Sequence, residues 1–271
     1  TPAEHKFKFL KEDLDRTIFQ IGISSASEIS KGINLLPKIN ELNINMGCPH
    51  SSMKKKVMCS GILSHPKLMK EICNELVKVC RKKGMIASVK VRLGTRPEKI
   101  EIEKYLEIIT EAGIDKAYIH ARTLRHAYEM PANYNSLKGI KKKFSKIEII
   151  LNGDIDSYNA FLKITQEIDC DGIMIGRAAL INPFIFRDIK KKMLSQHEGA
   201  YDPTLKDNSA KNVNGNVLPT KQKLDFINEF LKICEAENLT LNIVKKNLMF
   251  LMFTLKMQNF YLNLNRVFES L

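Results

Sequence analysis

The sequence predicts an α/β protein: a TIM-type (β/α)8 barrel, short of its first two strand–helix units, followed by a small helical domain. Three observations predict it. Short β-branched runs alternate with amphipathic helical stretches through about residue 194. The runs are apolar, as strands of a parallel sheet covered by helices must be. Polar residues collect at or just past the C-terminal ends of five runs, at 45–49, 90–92, 120–122, 152–154 and 176–177. A barrel gathers its site on that one face, whereas a doubly wound sheet concentrates it at a single switch point.

Taken in order, strands are expected at IFQIGIS (18–24), ELNIN (41–45), IASVKV (86–91), KAYIH (116–120), IEIIL (147–151) and GIMIG (172–176). The clearest helix is PKLMKEICNELVKVCRKKG, where Pro66 suits the first helical position and Gly84 the stop. Leu68, Ile72, Leu76 and Val79 recur at three- and four-residue spacing, with Cys73 and Cys80 two turns apart among them. EKIEIEKYLEIITEAG and SYNAFLKITQEI repeat the pattern before the last strands. The first strand comes almost at once, so the two opening units are expected to belong to a longer protein or to a removed opening segment. The barrel domain is therefore expected at 1–194. Residues 195–220, rich in Asn, Gly and Pro and without periodicity, read as a linker or insertion. Residues 221–271 read as helical, and the apolar run around Leu248, Phe250, Leu251, Met252 and Phe253 calls for partners on more than one side, as in a small bundle.

Composition bounds the partners. The chain carries 43 basic and 30 acidic residues, a net charge of +13, a field that favours polyanions. A lysine-rich sequence without such a partner would show the same excess, so charge supports a nucleic-acid reading without founding one. None of the six cysteines forms a C-x-x-C pair, which argues against a zinc knuckle or a thioredoxin-like motif, and no metal is expected. Scattered cysteines point to a reducing compartment. No stretch reaches the roughly 20 apolar residues of a membrane span, and the opening TPAEHKFKFLKEDL resembles no signal peptide. A cytoplasmic location is expected, with an organelle left open.

The most informative segment is ELNINMGCPHSSM. Cys48 follows a strand end, between Gly47 and Pro49, where a thiol would be held over the catalytic face; residue statistics alone favour an inert buried cysteine. Asn45-Met46-Gly47-Cys48-Pro49 resembles the signature of the dihydrouridine synthase family. Five more segments resemble that family's motifs in its order: FQIGISSASEI with Gln20, SVKVRLG with Lys90, IHARTLRHAY with His120, Arg122 and Arg125, LNGDIDS with Asn152, Gly153 and Asp154, and GIMIGRAALINPFIF with Gly176 and Arg177. Six motifs in register over about residues 15–190 are specific where one would be weak.

The resemblance implies an FMN-dependent TIM-barrel oxidoreductase that reduces the C5–C6 double bond of uridine in tRNA, with NADPH or NADH as reductant and Cys48 as proton donor. A free thiol has a pKa of about 8.5, so it is mostly protonated at neutral pH and competent to donate. The resemblance assigns Gln20, Lys90, His120, Asn152, Gly153, Asp154, Gly176 and Arg177 to the flavin, and Asn45, Arg122 and Arg125 to the substrate. Lys90, at the inner end of a Val-rich strand, suits the negative charge of a reduced flavin. Glycines at 153 and 176 let backbone approach a phosphate, and Arg177 offers a bidentate cation. Lysines at 54–56, 138–146 and 190–192 are candidates to grip RNA phosphates.

The chain also departs from the family pattern. The family's opening Ala-Pro-Met and Thr-Glu-Met strands are absent, Cys59 stands where the family usually has glycine, and Leu124 replaces a common arginine. Two alternatives remain: a flavin barrel acting on a free pyrimidine, as dihydroorotate dehydrogenases do, and a tRNA-binding relative without catalysis. The basic excess and helical tail argue against the first. A colourless full-length protein that FMN cannot restore would support the second.

Overall fold

The computed structural model of this chain describes residues 14, 16–36, 39–50, 57–126, 130–182 and 184–197. The lysines at 54–56, nearly all of the expected linker and the expected helical domain at 221–271 lie outside the described residues. Six strands form one parallel sheet: β1 (Ile18–Ile21), β2 (Glu41–Asn45), β3 (Ile86–Arg92), β6 (Lys116–His120), β7 (Glu148–Asn152) and β8 (Gly172–Met174). Each strand lies beside the one before it, from β1 through to β8. That order contains no reversal and hence no switch point, so the sheet is an arc of barrel type and not a doubly wound sheet. The arc is open, with β1 and β8 as its edges among the described strands.

A short antiparallel hairpin, β4 (Gly94–Arg96) and β5 (Lys99–Ile100), follows β3 and was not expected from the sequence. It depends on Gly94, where a Cβ would lie 2.2 Å from the Lys99 carbonyl oxygen.

The helices are α1 (Ser27–Gly32), α2 (Pro66–Lys83), α3 (Ile102–Glu111), α4 (Ile140–Lys143), α5 (Tyr158–Glu167), α6 (Arg177–Ile181) and α7 (Ile185–His197). Helix α2 starts on Pro66 and ends at Gly84 with φ +66°, a left-handed residue of the kind that closes helices. Its buried stripe is Met69, Ile72, Cys73, Leu76 and Cys80. The expected Leu68 and Val79 only flank it, because two cysteines and a methionine are as buried here as the aliphatic residues. Burial pushes both thiols, Cys73 and Cys80, up to about 12.

Alternation along the strands sorts their residues by face. Leu42, Ile44, Ala87, Val89, Val91, Ala117, Ile119, Ile149 and Leu151 are buried on one face. The opposite face is largely polar, with Ile18, Ile86 and Ile150 also on it, and the register stacks its polar residues in layers. Gln20, Asn43, Ser88, Lys116 and Glu148 are in line; next come Asn45, Lys90 and Tyr118; at the strand tips come Arg92, His120 and Asn152.

At the other ends of the strands a device repeats. Asp115, just before β6, accepts the Ala87 N–H at 2.8 Å and a forked pair from Arg81 at 2.7 and 2.9 Å. Asp171, just before β8, accepts the Ile149 N–H at 2.8 Å and pairs with Lys141 at 2.7 Å. Burial alone would raise both carboxyls; the cation and the backbone N–H outweigh it and hold both below their ordinary values.

The chain divides into two compact units. One comprises the residues through Asp154 together with Lys163–Met174, and so holds the whole sheet; the other comprises Ile155–Leu162 and the residues from Ile175 onward. No described helix is long and apolar enough to cross a membrane.

Candidate active site

The turn after β2 is built by its own first residue. Asn45 Oδ1 accepts the N–H of Gly47 at 2.9 Å and of Cys48 at 3.0 Å, an Asx turn that competes with continuation of the strand. The Met46 N–H donates to the Lys90 carbonyl at 2.8 Å. The Gly47 carbonyl accepts from Arg92 Nε at 2.8 Å. Cys48 is thereby carried on a turn tied to two neighbouring strands, and its side chain is half-buried.

Behind the turn runs a chain of amides. Asn45 Nδ2 donates to Gln20 Oε1 at 2.9 Å, Gln20 Nε2 to Asn43 Oδ1 at 2.7 Å, and Asn43 Nδ2 to Ser88 Oγ at 2.8 Å. Gln20 and Asn45, expected to serve flavin and substrate separately, are thus coupled. Each fixes the orientation of the other.

Lys90 stands in register with Asn45. Among the described residues its ammonium has no hydrogen-bond or ion-pair partner. Burial pushes it down to about 8, and the Arg92 guanidinium pushes the same way.

A second thiol lies close by. Cys59 is 5% exposed with φ +48°, so the cysteine occupies the left-handed conformation that glycine accepts without cost. Burial raises its thiol, and the charge that Cys48 would carry raises it further. Opposite it, a Cβ on Gly22 would lie 2.9 Å from Cys59 Sγ.

The tips of β6 and β7 form a separate cluster. Arg122 is 1% exposed, and its Nη2 reaches both Asp154 oxygens at 2.6 and 2.8 Å and the Met130 carbonyl at 2.7 Å. Its Nη1 lies 3.3 Å from His120 Nε2. Arginine only donates, so Nε2 accepts and the ring proton sits on Nδ1. Asp154 also accepts the Ala132 N–H at 2.8 Å. Gly153, at φ +129°, packs so tightly that a Cβ would meet His120 Cδ2 and Ala132 Cβ at 3.2 Å. Tyr134 donates to the Gly153 carbonyl, and Asn152 Nδ2 to the Met174 carbonyl at 2.8 Å.

The structure therefore brings Gln20, Asn45, Cys48 and Lys90 into one connected group, and His120, Arg122, Gly153 and Asp154 into another. Arg125 is exposed on the turn after β6. Gly176 and Arg177, both exposed, open the five-residue α6 in the second unit. Sequence reasoning placed Arg92 at a strand tip without giving it a role, and missed Asn43, Ser88 and Tyr134. The signal for Arg92 was present, since it is two residues beyond Lys90 and shares its face; Tyr134 carries no such signal.

Of the lysines expected to grip phosphate, Lys141 is held by Asp171 and the Ile147 carbonyl, and Lys143 by Glu103 and Glu107. Lys192 lies over the Tyr158 ring.

A parallel barrel-type sheet with amide, thiol and amine groups gathered on one set of strand tips is the arrangement of an α/β-barrel protein with its site on that face. The family model described as Dihydrouridine synthase (Dus) matches residues 2–253. This chain belongs to the dihydrouridine synthase family. It is 33% identical over 190 residues to the probable tRNA-dihydrouridine synthase of Aquifex aeolicus, covering 69% of this chain and 59% of that protein. It is 31% identical to tRNA-dihydrouridine synthase B of Pasteurella multocida, covering 69% and 56%, and 33% identical to that of Escherichia coli K12, covering 65% and 54%. The chain spans rather more than half the length of these relatives.

Proposed function

We propose that this chain is the catalytic part of a tRNA-dihydrouridine synthase, with FMN as cofactor and NADPH or NADH as reductant. One observation carries the reading: the half-buried Lys90 ammonium, without a partner among the described residues, in register with the strand end that launches the Cys48 turn. An unpaired cation there is costly, and the negatively charged edge of a reduced flavin would compensate it. That passes the test of fit, because the neighbouring amides satisfy one another and, among the described residues, none turns to Lys90.

What the bound group supplies is a hydride for C6 of the uracil ring. Cys48, protonated, gives its proton to C5 from the opposite side and is left as thiolate. Asn45 orients that thiol by holding the backbone N–H of Cys48, and Gln20 holds Asn45. His120 would help hold the cofactor, with Arg122 bonded to its ring and Asp154 fixing Arg122. This gives Arg122 and Asp154 a supporting task, since Arg122 is buried and fully engaged. Gly176 and Arg177 are assigned the flavin phosphate on sequence resemblance. The target base must leave its stack to expose C5 and C6, and exposed Arg125 is one cation that would meet the tRNA backbone. The cytoplasm is the expected site of action.

The test uses the full-length protein. It should be yellow, be bleached by NADPH, and recover its colour on adding unmodified tRNA. Cys48→Ala should keep the flavin and its bleaching yet form no dihydrouridine, while Cys59→Ala stays active. The opposite pattern would move the proton donor to Cys59. A full-length protein that never binds flavin would end the reading altogether.

A further inference from the structure

The peptide bond between Gly47 and Cys48 is held at both ends. Its N–H, on Cys48, donates to Asn45 Oδ1 at 3.0 Å. Its carbonyl, on Gly47, accepts from Arg92 Nε at 2.8 Å. Fixing that peptide plane fixes the N–Cα bond of Cys48, the base from which its thiol is carried.

Arg92 is suited to hold it. Its side chain is 2% exposed, and a hydrogen bond from a cation is roughly twice as strong as one between neutral groups. Its Nη1 donates to the Thr123 carbonyl at 2.9 Å, so the guanidinium ties the turn after β2 to the segment after β6. The Leu93 N–H, on the next residue, donates to the Arg122 carbonyl at 3.1 Å, which joins the two site clusters through the tip of β3. Gly47 packs against β3: a Cβ there would make ordinary contacts with the Lys90 carbonyl oxygen at 3.4 Å and Arg92 Cγ at 3.8 Å.

We propose that Arg92 is a positioning residue that sets the Cys48 thiol through the Gly47 carbonyl. The inference rests on the reading of Cys48 as proton donor. Arg92 does not deliver the proton; it fixes where the proton is delivered from.

The experiment follows flavin in the full-length holoenzyme, reduced by NADPH and reoxidised by tRNA. Arg92→Met should leave bleaching by NADPH intact and slow tRNA-driven reoxidation by about 100-fold, the scale expected when a reacting group is misplaced by about 1 Å. The tRNA concentration for half-maximal rate should stay unchanged. In a Cys48→Ala background the same substitution should cost nothing more, because the group it positions is gone. Arg92→Lys, which keeps one donor for the Gly47 carbonyl, should recover part of the rate, and it carries the test if Arg92→Met loses its flavin. In flavin-free protein Arg92→Met should also raise the rate at which iodoacetamide alkylates Cys48. Wild-type reoxidation by Arg92→Met, a further loss on top of Cys48→Ala, or an effect confined to tRNA half-saturation would each overturn the proposal, the last by making Arg92 a substrate contact. Full activity of Cys48→Ala would instead remove the proton-donor reading itself, so the two failures are distinguishable.

Discussion

Replacing Lys90 by methionine should stabilise the flavin-free protein while weakening its hold on flavin. The ammonium is half-buried, lacks a partner among the described residues, and feels Arg92 nearby, which together lower it from 10.5 to about 8. At about 1.4 kcal/mol per pH unit, that drop corresponds to about 3 kcal/mol by which the fold disfavours the charged form. Methionine keeps the apolar stem and removes the charge, so a gain of about 1–3 kcal/mol is expected near neutral pH.

The pH dependence fixes the cause. The folded value lies below the unfolded one, so between about pH 8 and pH 10.5 the unfolded chain binds the extra proton. Wild-type stability therefore rises through that window. Below it both states are protonated and the penalty is complete. The advantage of Lys90→Met should be largest near neutrality and vanish above about pH 10.5. Urea unfolding of both flavin-free proteins, followed by circular dichroism across that range, reads this directly. FMN added in excess should stabilise the wild type more than the variant. A variant less stable than wild type at neutral pH, or an advantage that ignores pH, would refute the reasoning.

Two further substitutions probe the surroundings. Gly153→Ala forces a side chain into φ +129° and against His120 and Ala132 at 3.2 Å, so it should cost about 2–4 kcal/mol in denaturant unfolding and lower flavin retention; an unchanged midpoint would count against the packing. Gly22→Ala, with its Cβ 2.9 Å from Cys59 Sγ, should cost about 1–3 kcal/mol, most of it recovered in Gly22→Ala/Cys59→Ala. Independent effects in that double-mutant cycle would show that the two positions do not meet.

Much of this was legible in the sequence, for local reasons. Strands β2, β3, β6 and β7 lie within a residue or so of where short β-branched runs placed them, and Pro66 and Gly84 bound α2 as their backbone preferences require. The β4–β5 hairpin was hidden because two- and three-residue strands around Pro97 and Glu98 are too short to show a period. The site residues were legible as a set of positions but not as a network. Arg122 reads as an exposed cation until Asp154, 32 residues later, is seen to engage it. The Gln20–Asn45 and Gln20–Asn43 bonds depend on strand register, which no local pattern encodes.

The polar face explains why one group can remain unpaired. Burying a row of polar side chains along a sheet is unfavourable unless each finds a partner. Here Tyr118 donates to Glu41 at 2.8 Å, Lys116 bridges Glu41 and Glu148 at 3.4 and 3.3 Å, and the amides at 20, 43 and 45 close on Ser88. Those bonds hold the strand tips rigid without any ligand. Among the described residues none of these bonded groups turns to Lys90, whose charge is left for the anionic ligand edge proposed above. The pairing of these neighbours is what makes Lys90, unpaired among the described residues of the face, informative for the proposed anionic ligand edge.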